Sequence, residues 1–508
     1  MAIRPQQARP VPPPLVAALD ALRRELGIPD DFPPEVHDAA ARAAAAFPPG
    51  APGTPGSPVP QEERADRTDL ALVTIDPEGS RDLDQAVLVE QVKGGFTVWY
   101  AIADVAAFVT AGDPVDLEAH RRGQTLYAPH QRTPLHPPEL SEDAASLLPE
   151  QNRPAVLWCL ELDASGELRS TSVTRALVRS RAQLTYREVQ NQLDAGTAPE
   201  MLRLLRTVGQ LREGIERERG GVSLRIPEQE VAVEQEQWHV VHRSALPVEG
   251  WNAQISLLTG IAAAHLMLDA RVGLLRTLPP AAESSVRKLR ATAEALRIPW
   301  PGEVSYPDFV HGLDPEIGTH AAMLYSCTLL FRGAGYEAFD GALPEQRTHS
   351  ALATPYAHVT APLRRLVDRY GSEICLAISA GRPVPEWVLA ALPELPGEMA
   401  ASNRTASAYE RGIVNMVEAM TLAPHAGEEF TATVVDVKPD GSRGTIVIRD
   451  PAVEVSLAVP DLPLGGTITV RLASVDVSEG RSEFELVPGT TPPRVPEAAP
   501  GQSPVTQH

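Results

Sequence analysis

The pattern of apolar and polar residues changes character along the chain, beginning with two helical segments. Leucines recur at helical spacing near the N-terminus, and an alanine-rich stretch follows. The pattern predicts one helix that ends near Gly27 and a second over residues 34–47. The pair is compatible with a helix-turn-helix module, but a helical hairpin packed on the main domain is the favoured interpretation. The Pro- and Gly-rich run at 48–60 predicts a linker, so the first unit covers residues 1–62.

A mixed pattern of strands and helices occupies the middle of the chain. Apolar runs at 70–75 and 96–109 predict buried strands, the second turning helical near its end. Longer stretches predict helices at 198–219, 251–269 and 362–380. The last of these helices would begin at Pro362, because proline favours the first helical turn. We therefore predict one large α/β (α+β) domain over residues 63–425.

After Gly427 the pattern is that of short strands alone. Five β-rich runs are separated by Asp, Gly and Pro within about sixty residues. This spacing suits a small all-β OB-fold barrel, which we place at residues 426–487. The Pro-rich residues 488–508 are predicted to form a disordered tail.

Composition and charge narrow the class of protein. No apolar run approaches the length of about 18 residues that a membrane span needs, and the N-terminus lacks an apolar leader, so neither a membrane span nor a signal peptide is expected. The 3 cysteines are far apart, which predicts a reducing, cytoplasmic location. The net charge of −21 argues against a general nucleic-acid coat protein. It does not exclude an enzyme with an enclosed channel, because a bound metal inverts the local charge.

An aspartate-rich segment at 74–87, TIDPEGSRDLDQAV, carries the strongest chemical signal. Asp76 follows an apolar strand, and a turn containing proline and glycine leads to Asp82 and Asp84. If the returning segment is extended, Asp82 and Asp84 share a face and all three carboxylates can meet. A hard divalent cation would relieve their repulsion, and it could activate water beside a phosphate. A turn whose aspartates only cap backbone N–H groups is an equally good interpretation of this segment alone.

Separated motifs give residues 65–425 a resemblance to the catalytic (RNB) domain of the ribonuclease II and ribonuclease R family. The motifs are TIDPEGSRDLDQA, the stretch at 100–149 from YAIAD to SLLP, YAHVTAPLRRLVDRY at 356–370 and, more weakly, Tyr409-Glu410-Arg411. The resemblance implies 3′→5′ hydrolysis of single-stranded RNA to nucleoside 5′-monophosphates with Mg²⁺, or with Mn²⁺ in its place. We expect a monomer that does not bind membranes.

The resemblance also implies a role for each matching residue. The metal would be held by Asp76, Asp82 and Asp84, with Asp84 and then Asp82 most directly tied to catalysis. Tyr127 would stack on a base at the 3′ end. Arg364 would grip the scissile or adjacent phosphate with its planar fork. Glu410 would lie in the lining near the 3′ end.

The chain also departs from the family pattern. Gln85 stands where the family usually has a fourth aspartate, and a glutamine oxygen can bind a hard cation but brings no charge, so one of two metals would bind weakly or be lost. The family's pair of glutamates is replaced within 251–260. The region before residue 65 is too short for the usual pair of cold-shock barrels. RNA would therefore enter by a different path, and RNA with 3′ overhangs could be trimmed closer to the duplex. The alternative is a catalytically weakened RNA-binding protein on an RNB scaffold.

The sequence also predicts structural roles for several polar residues near these motifs. One predicted helix would contain Arg364, Arg365 and Arg369. Thr360 would cap that helix. Asp104, which ends a buried strand, either supports the metal ligands or caps a helix. His358 is expected to be a structural histidine with its hydrogen bonds satisfied.

Overall fold

The computed structural model describes most of the chain. The described ranges are 13–47, 64–128, 131–222, 228–234, 237–243, 245–314, 317–331, 333–438, 440–448 and 453–488. The predicted linker at 48–60 and all but the first residue of the predicted tail lie outside these residues.

Both predicted N-terminal helices are present, as α1 (Pro13–Glu25) and α2 (Pro34–Ala46). They pack on the main domain, which was the favoured interpretation. Leu15 and Leu19 of α1 are fully buried in a cluster that includes Tyr409, near the end of that domain. The buried residues of α2 belong to a different cluster, which lies against the central sheet. Each helix therefore buries its apolar face against the catalytic domain.

A six-stranded sheet forms the centre of the main domain. The first part of the domain contains β1 (Ala65–Asp66), β2 (Leu72–Asp76), β3 (Gln85–Val92), β4 (Gly95–Ala103), α3 (Pro114–Arg122), β5 (Leu126–Tyr127), β6 (Arg132–Thr133), β7 (Asn152–Asp163) and β8 (Leu168–Thr185). The strand order is β1-β8-β2-β3-β4-β7, and β7 also pairs with β8, which closes the sheet. Strand β2 is parallel to β8 and antiparallel to β3. The predicted buried strands correspond to β2 and β4, and a 3-10 turn at Val105–Ala107 follows β4 as expected.

Helices and two short antiparallel pairs surround this sheet. They are α4 (Tyr186–Asp194), α5 (Glu200–Glu218), β9 (Glu228–Glu234), β10 (Gln237–Arg243), α6 (Pro247–Ala270), β11 (Val272–Thr277), α7 (Glu283–Ala295), α8 (Tyr306–His311), α9 (Gly318–Cys327), β12 (Gly335–Asp340), α10 (Leu366–Ser379), α11 (Glu386–Ala391) and α12 (Leu395–Leu422). Helix α6 is long and apolar enough to cross a membrane by length and composition, but 56% of its most apolar window is buried. Its residues Ile255, Leu258 and Met267 belong to the main hydrophobic cluster, so α6 is a core helix.

The start of α10 differs from the prediction. The helix begins at Leu366, and Pro362 lies in the turn before it. The carboxylate of Asp368 accepts the Ala361 N–H at 2.6 Å and binds the Arg365 guanidinium at 2.9 Å. These bonds hold Arg365 in an extended conformation, so the side chain of Asp368 overrides the proline signal.

The shifted helix start corrects two further expectations. Arg364 and Arg365 precede α10, and only Arg369 lies on it, where its guanidinium pairs with buried Asp116 at 2.5 Å. Thr360 is not the N-cap, because that position is Arg365.

The C-terminal unit has the five predicted strands. They are β13 (Glu429–Val437), β14 (Gly444–Ile448), β15 (Val453–Leu457), β16 (Thr467–Asp476) and β17 (Arg481–Leu486). All pairings are antiparallel, in the order β15-β14-β13-β16-β17. Alternate residues, among them Val434, Ile446 and Val470, are fully buried between the strands, which agrees with the predicted OB-type barrel.

A buried ion network joins the sheet to α10. Arg175 of β8 pairs with Asp104 at 2.5 Å and with Glu373, and Arg64 pairs with Asp104 at 2.8 Å. Burial acts to raise the pKa of Asp104, but the two guanidiniums outweigh burial and hold this pKa at about 2. Asp104 makes no capping hydrogen bond through its side chain. Asp104 thus stands at the N-cap position of the 3-10 turn without capping it through its carboxylate, and its ion pairs tie the sheet to α10. That it supports the metal ligands stays a prediction.

Replacing Arg175 with methionine is expected to lower the free energy of unfolding by about 3–5 kcal/mol. The side chain of Arg175 is 4% exposed, and its loss leaves Glu373 buried without its guanidinium partner. Urea unfolding would measure the change. The control is Arg179→Met on the same strand, where the guanidinium bonds to the neutral side chain of Asn152. Equal losses in the two variants would contradict a special role for the network.

Candidate active site

The strand-and-turn segment from Asp76 to Asp84 builds one wall of the site. Asp76 ends β2, and Gly79 turns the chain with a φ of +80°, a conformation that glycine adopts without strain. Residues 81–84 lie between strands β2 and β3, and Leu83 is fully buried. The Ser146 hydroxyl accepts the Leu83 N–H at 3.0 Å and fixes this segment. Asp82 and Asp84 both line a cavity that Leu83 does not reach, in agreement with the predicted alternation.

A cavity of about 850 Å³ lies in front of this wall. It is lined by all the residues predicted to bind metal or RNA, namely Asp76, Asp82, Asp84, Gln85, Tyr127, Arg364 and Glu410. The segments that supply them are far apart in the chain and come together at the end of the central sheet. One concave site with several converging polar groups is the usual form of an active site.

Asp84 is a buried carboxylate in this cavity, and Asp76 is half-buried beside it. Oδ1 of Asp84 accepts the Leu363 N–H at 2.8 Å, and Oδ2 lies 3.4 Å from Nε of Arg364. Oδ2 of Asp76 is buried and has no hydrogen-bond partner among the described residues. Burial raises the pKa of Asp76 to about 7 and the pKa of Asp84 to about 8, while Arg364 opposes both shifts. Two desolvated carboxylates, one with an unpartnered oxygen, fit a hard divalent cation, which would restore their ionised form.

Asp82 has different partners. Its Oδ1 lies 2.6 Å from Nη1 of Arg132, and the Tyr127 hydroxyl donates to its Oδ2 at 3.4 Å. The other arm of Arg132 binds Glu142. In the described part of the chain, no three His, Cys, Asp or Glu side chains are grouped as a metal site. The three aspartates thus share the cavity without the predicted convergence, because Asp82 is bound to a guanidinium.

The carboxamide of Gln85 is held by hydrogen bonds. Its Oε1 accepts from the Tyr100 hydroxyl at 2.6 Å, and its Nε2 donates to the Thr360 carbonyl at 2.6 Å. The Tyr100 hydroxyl is bonded in turn to Ser256 at 2.7 Å. That Gln85 binds metal therefore stays a prediction, and the observed contacts give it a role in joining β3 to the loop before α10.

The other predicted residues surround these carboxylates. The side chain of Arg364 is 48% exposed, so its guanidinium can meet a phosphate in the cavity. Tyr127 lies on β5, and Glu410 lies on α12, where burial raises its pKa. Half-buried His358 bonds through Nδ1 to the Tyr336 hydroxyl at 2.8 Å, in agreement with a structural histidine.

Sequence reasoning missed three residues of the site: Arg132, Glu142 and Tyr100. Arg132 faces Tyr127 across the β5–β6 hairpin, so the two side chains are neighbours. The signal for Arg132 was a cation five residues after Tyr127, but using it requires the hairpin register. Tyr100 and Glu142 carried no local signal, because their contacts depend on strand pairing and on a distant turn.

Comparisons with known proteins agree with this arrangement. Residues 64–375 match the RNB domain, and residues 428–487 match the RNase II-type exonuclease C-terminal S1 domain. The chain is 26% identical to Ribonuclease R of Aquifex aeolicus over 92% of this chain and 70% of that protein. It is 30% identical to Ribonuclease R of Escherichia coli over 61% of this chain and 40% of that protein. It thus spans well under two thirds of the second relative.

The fold is also similar to that of solved structures. Mycoplasma genitalium RNase R in complex with ribose methylated single-stranded RNA matches with a TM-score of 0.81 at 18% identity, over 94% of this chain and 78% of that one. At this identity the likeness supports the architecture, and the chemistry must be argued from the residues of the cavity.

Proposed function

Because the chain belongs to the RNB family, we propose that it is a 3′→5′ exoribonuclease that hydrolyses single-stranded RNA to nucleoside 5′-monophosphates. The observation that carries the proposal is the shared cavity of half-buried Asp76, buried Asp84 and half-exposed Arg364. Carboxylates that can hold a cation, beside a guanidinium that can hold a phosphate, are the groups that phosphodiester hydrolysis requires.

Nucleases of the RNB family depend on a metal ion, and here we propose Mg²⁺, with Mn²⁺ as a substitute. When bound, such an ion activates water and offsets the charge that develops on the phosphate. Asp76 and Asp84 would hold it, and the Leu363 N–H fixes the orientation of Asp84. Arg364 would bind the scissile or adjacent phosphate with its fork. Tyr127 would stack on the terminal base, and Glu410 would line the space around it.

The setting of the reaction follows from the chain's other features. We propose a cytoplasmic enzyme, supported by 3 cysteines that are all free thiols. We propose that it acts as a monomer. RNA with a 3′ overhang is a further proposed substrate, because helices α1 and α2 pack on the catalytic domain and would change how a duplex approaches.

Incubating the pure protein with 5′-labelled and 3′-labelled RNA and Mg²⁺ tests the proposal. We expect nucleoside 5′-monophosphates released from the 3′ end and a shortening 5′-labelled strand. Single-stranded DNA of the same sequence and a duplex with a 3′ overhang, run beside it, define the substrate class. Products that lack a 5′-phosphate, or DNA cut as fast as RNA, would contradict the proposal.

A second candidate is an RNA-binding protein that has lost much of its catalysis. It is favoured by the neutral Gln85, whose oxygen and nitrogen are both used in hydrogen bonds. Intact RNA and a gel shift with both Mg²⁺ and Mn²⁺ would support this function over hydrolysis.

A further inference from the structure

Arg132 places a fixed positive charge inside the catalytic cavity. The β5–β6 hairpin sets Arg132 opposite Tyr127, and its side chain is only 16% exposed. One arm of the guanidinium lies 2.6 Å from Asp82, and the other arm binds Glu142. Burial acts to lower its pKa, but the two carboxylates raise it, so the group stays charged. A planar fork shared between two carboxylates is held more firmly than a single ion pair.

This contact sets Asp82 apart from the other two aspartates. The guanidinium satisfies one oxygen of Asp82, and the Tyr127 hydroxyl approaches the other. Asp76, in contrast, keeps a buried oxygen that no described residue contacts by a hydrogen bond, and the Arg364 contact with Asp84 is longer, at 3.4 Å. A cation entering the cavity would therefore find Asp76 and Asp84 available, but it would have to displace Arg132 to reach Asp82.

The charges of the residues that line the cavity also favour the binding of a single cation. Six carboxylates line the cavity and are offset by four guanidiniums; they belong to Asp76, Glu78, Asp82, Asp84, Glu142 and Glu410, and to Arg81, Arg132, Arg364 and Arg365. The remainder is two negative charges, which one divalent cation balances. A second divalent cation would give the cavity a net positive charge, and Gln85 supplies no carboxylate to offset that charge.

We propose that Arg132 supplies the positive charge at Asp82, so that the cavity binds one divalent cation, at Asp76 and Asp84, and excludes a second. The inference rests on the proposed function, because it assigns the electrostatics of the same site. Arg132 is a positioning residue here: it holds Asp82 and, through it, the hydroxyl of Tyr127.

Counting bound Mn²⁺ tests this assignment without relying on hydrolysis. Titration followed by the electron paramagnetic resonance signal of free Mn²⁺ should give one ion per wild-type chain. Arg132→Gln and Arg132→Met should each bind two ions, because Asp82 then loses its guanidinium partner and Glu142 keeps only the longer contact with Arg81, at 3.7 Å. Arg132→Lys, which keeps the charge, should bind one. Arg153→Gln is the matched control and should bind one ion. Arg153 lies on β7 and pairs with Asp143, the residue after Glu142, but it does not line the cavity.

Activity gives an independent reading of the same variants. Arg132→Gln should lose about tenfold in RNA hydrolysis at an Mn²⁺ concentration that saturates only the first site, and it should recover as the second site fills. Circular dichroism of each variant would verify that it is folded.

The possible outcomes separate this inference from the proposed function. Two Mn²⁺ ions on the wild type, or one on folded Arg132→Gln and Arg132→Met, would overturn the role of Arg132 and leave metal-dependent hydrolysis standing. A wild-type chain that binds no Mn²⁺ would overturn both.

Discussion

Replacing Asp84 with asparagine is expected to lower the rate of RNA hydrolysis by about 10³- to 10⁴-fold and to leave RNA binding intact. Asp84 is 5% exposed, and its charge would hold the cation beside the scissile phosphate. The amide oxygen of asparagine can still accept the Leu363 N–H, which Asp84 accepts at 2.8 Å, so the loop before α10 should keep its place. Single-turnover cleavage of labelled RNA would measure the rate, and a gel shift would measure binding.

The matched control for this prediction is Asp69→Asn. Asp69 is an exposed aspartate before β2 that does not line the cavity, so its variant should cut RNA at the wild-type rate. If Asp84→Asn also cut at that rate, Asp84 could not hold the essential cation. If it lost RNA binding as well, the separation between the metal site and the phosphate-binding arginine would be wrong.

Features that depend on neighbouring residues could be predicted from the sequence. Asp82 and Asp84 line the cavity while Leu83 between them is buried, an alternation that depends on adjacent residues alone. Both N-terminal helices and the five C-terminal strands follow from periodicity in the same way. The separated motifs predicted the RNB family, which the matches at 64–375 and 428–487 confirm. The finer domain limits, such as residues 63–425, stay predictions.

Features that depend on distant residues could not be predicted. Gln85 bonds to Thr360, 275 positions away, and only the folded sheet brings the two together. Arg132 reaches Asp82 because the hairpin pairs it with Tyr127. The start of α10 was predicted too early because Asp368 satisfies the backbone at Ala361, a contact that competes with the first helical turn. The sequence therefore located the aspartates and Arg364, but not Arg132, which pairs with Asp82.

Replacing Arg364 with glutamine is expected to lower the rate of hydrolysis by about 10²- to 10³-fold. The guanidinium lies 3.4 Å from Asp84 and is 48% exposed, so it is close to the proposed cation site and still open to a phosphate. The attraction between its guanidinium and the phosphate would be strongest as negative charge grows on the phosphate during hydrolysis. Because the substitution removes this attraction, kcat should fall more than the affinity for RNA. Arg364→Lys keeps the charge but loses the planar fork, and we expect a smaller loss of about tenfold.

The control for Arg364→Gln removes one positive charge from a residue outside the cavity. Arg203 is exposed on α5 and does not line the cavity, so Arg203→Gln should leave kcat unchanged and report only the effect of net charge on RNA association. Measuring kcat and KM for the three variants at two salt concentrations distinguishes the two effects. A long-range charge effect weakens as salt rises, whereas a contact inside the cavity is screened less. If Arg364→Gln changed only KM, and high salt abolished the change, Arg364 would attract RNA to the cavity without taking part in hydrolysis.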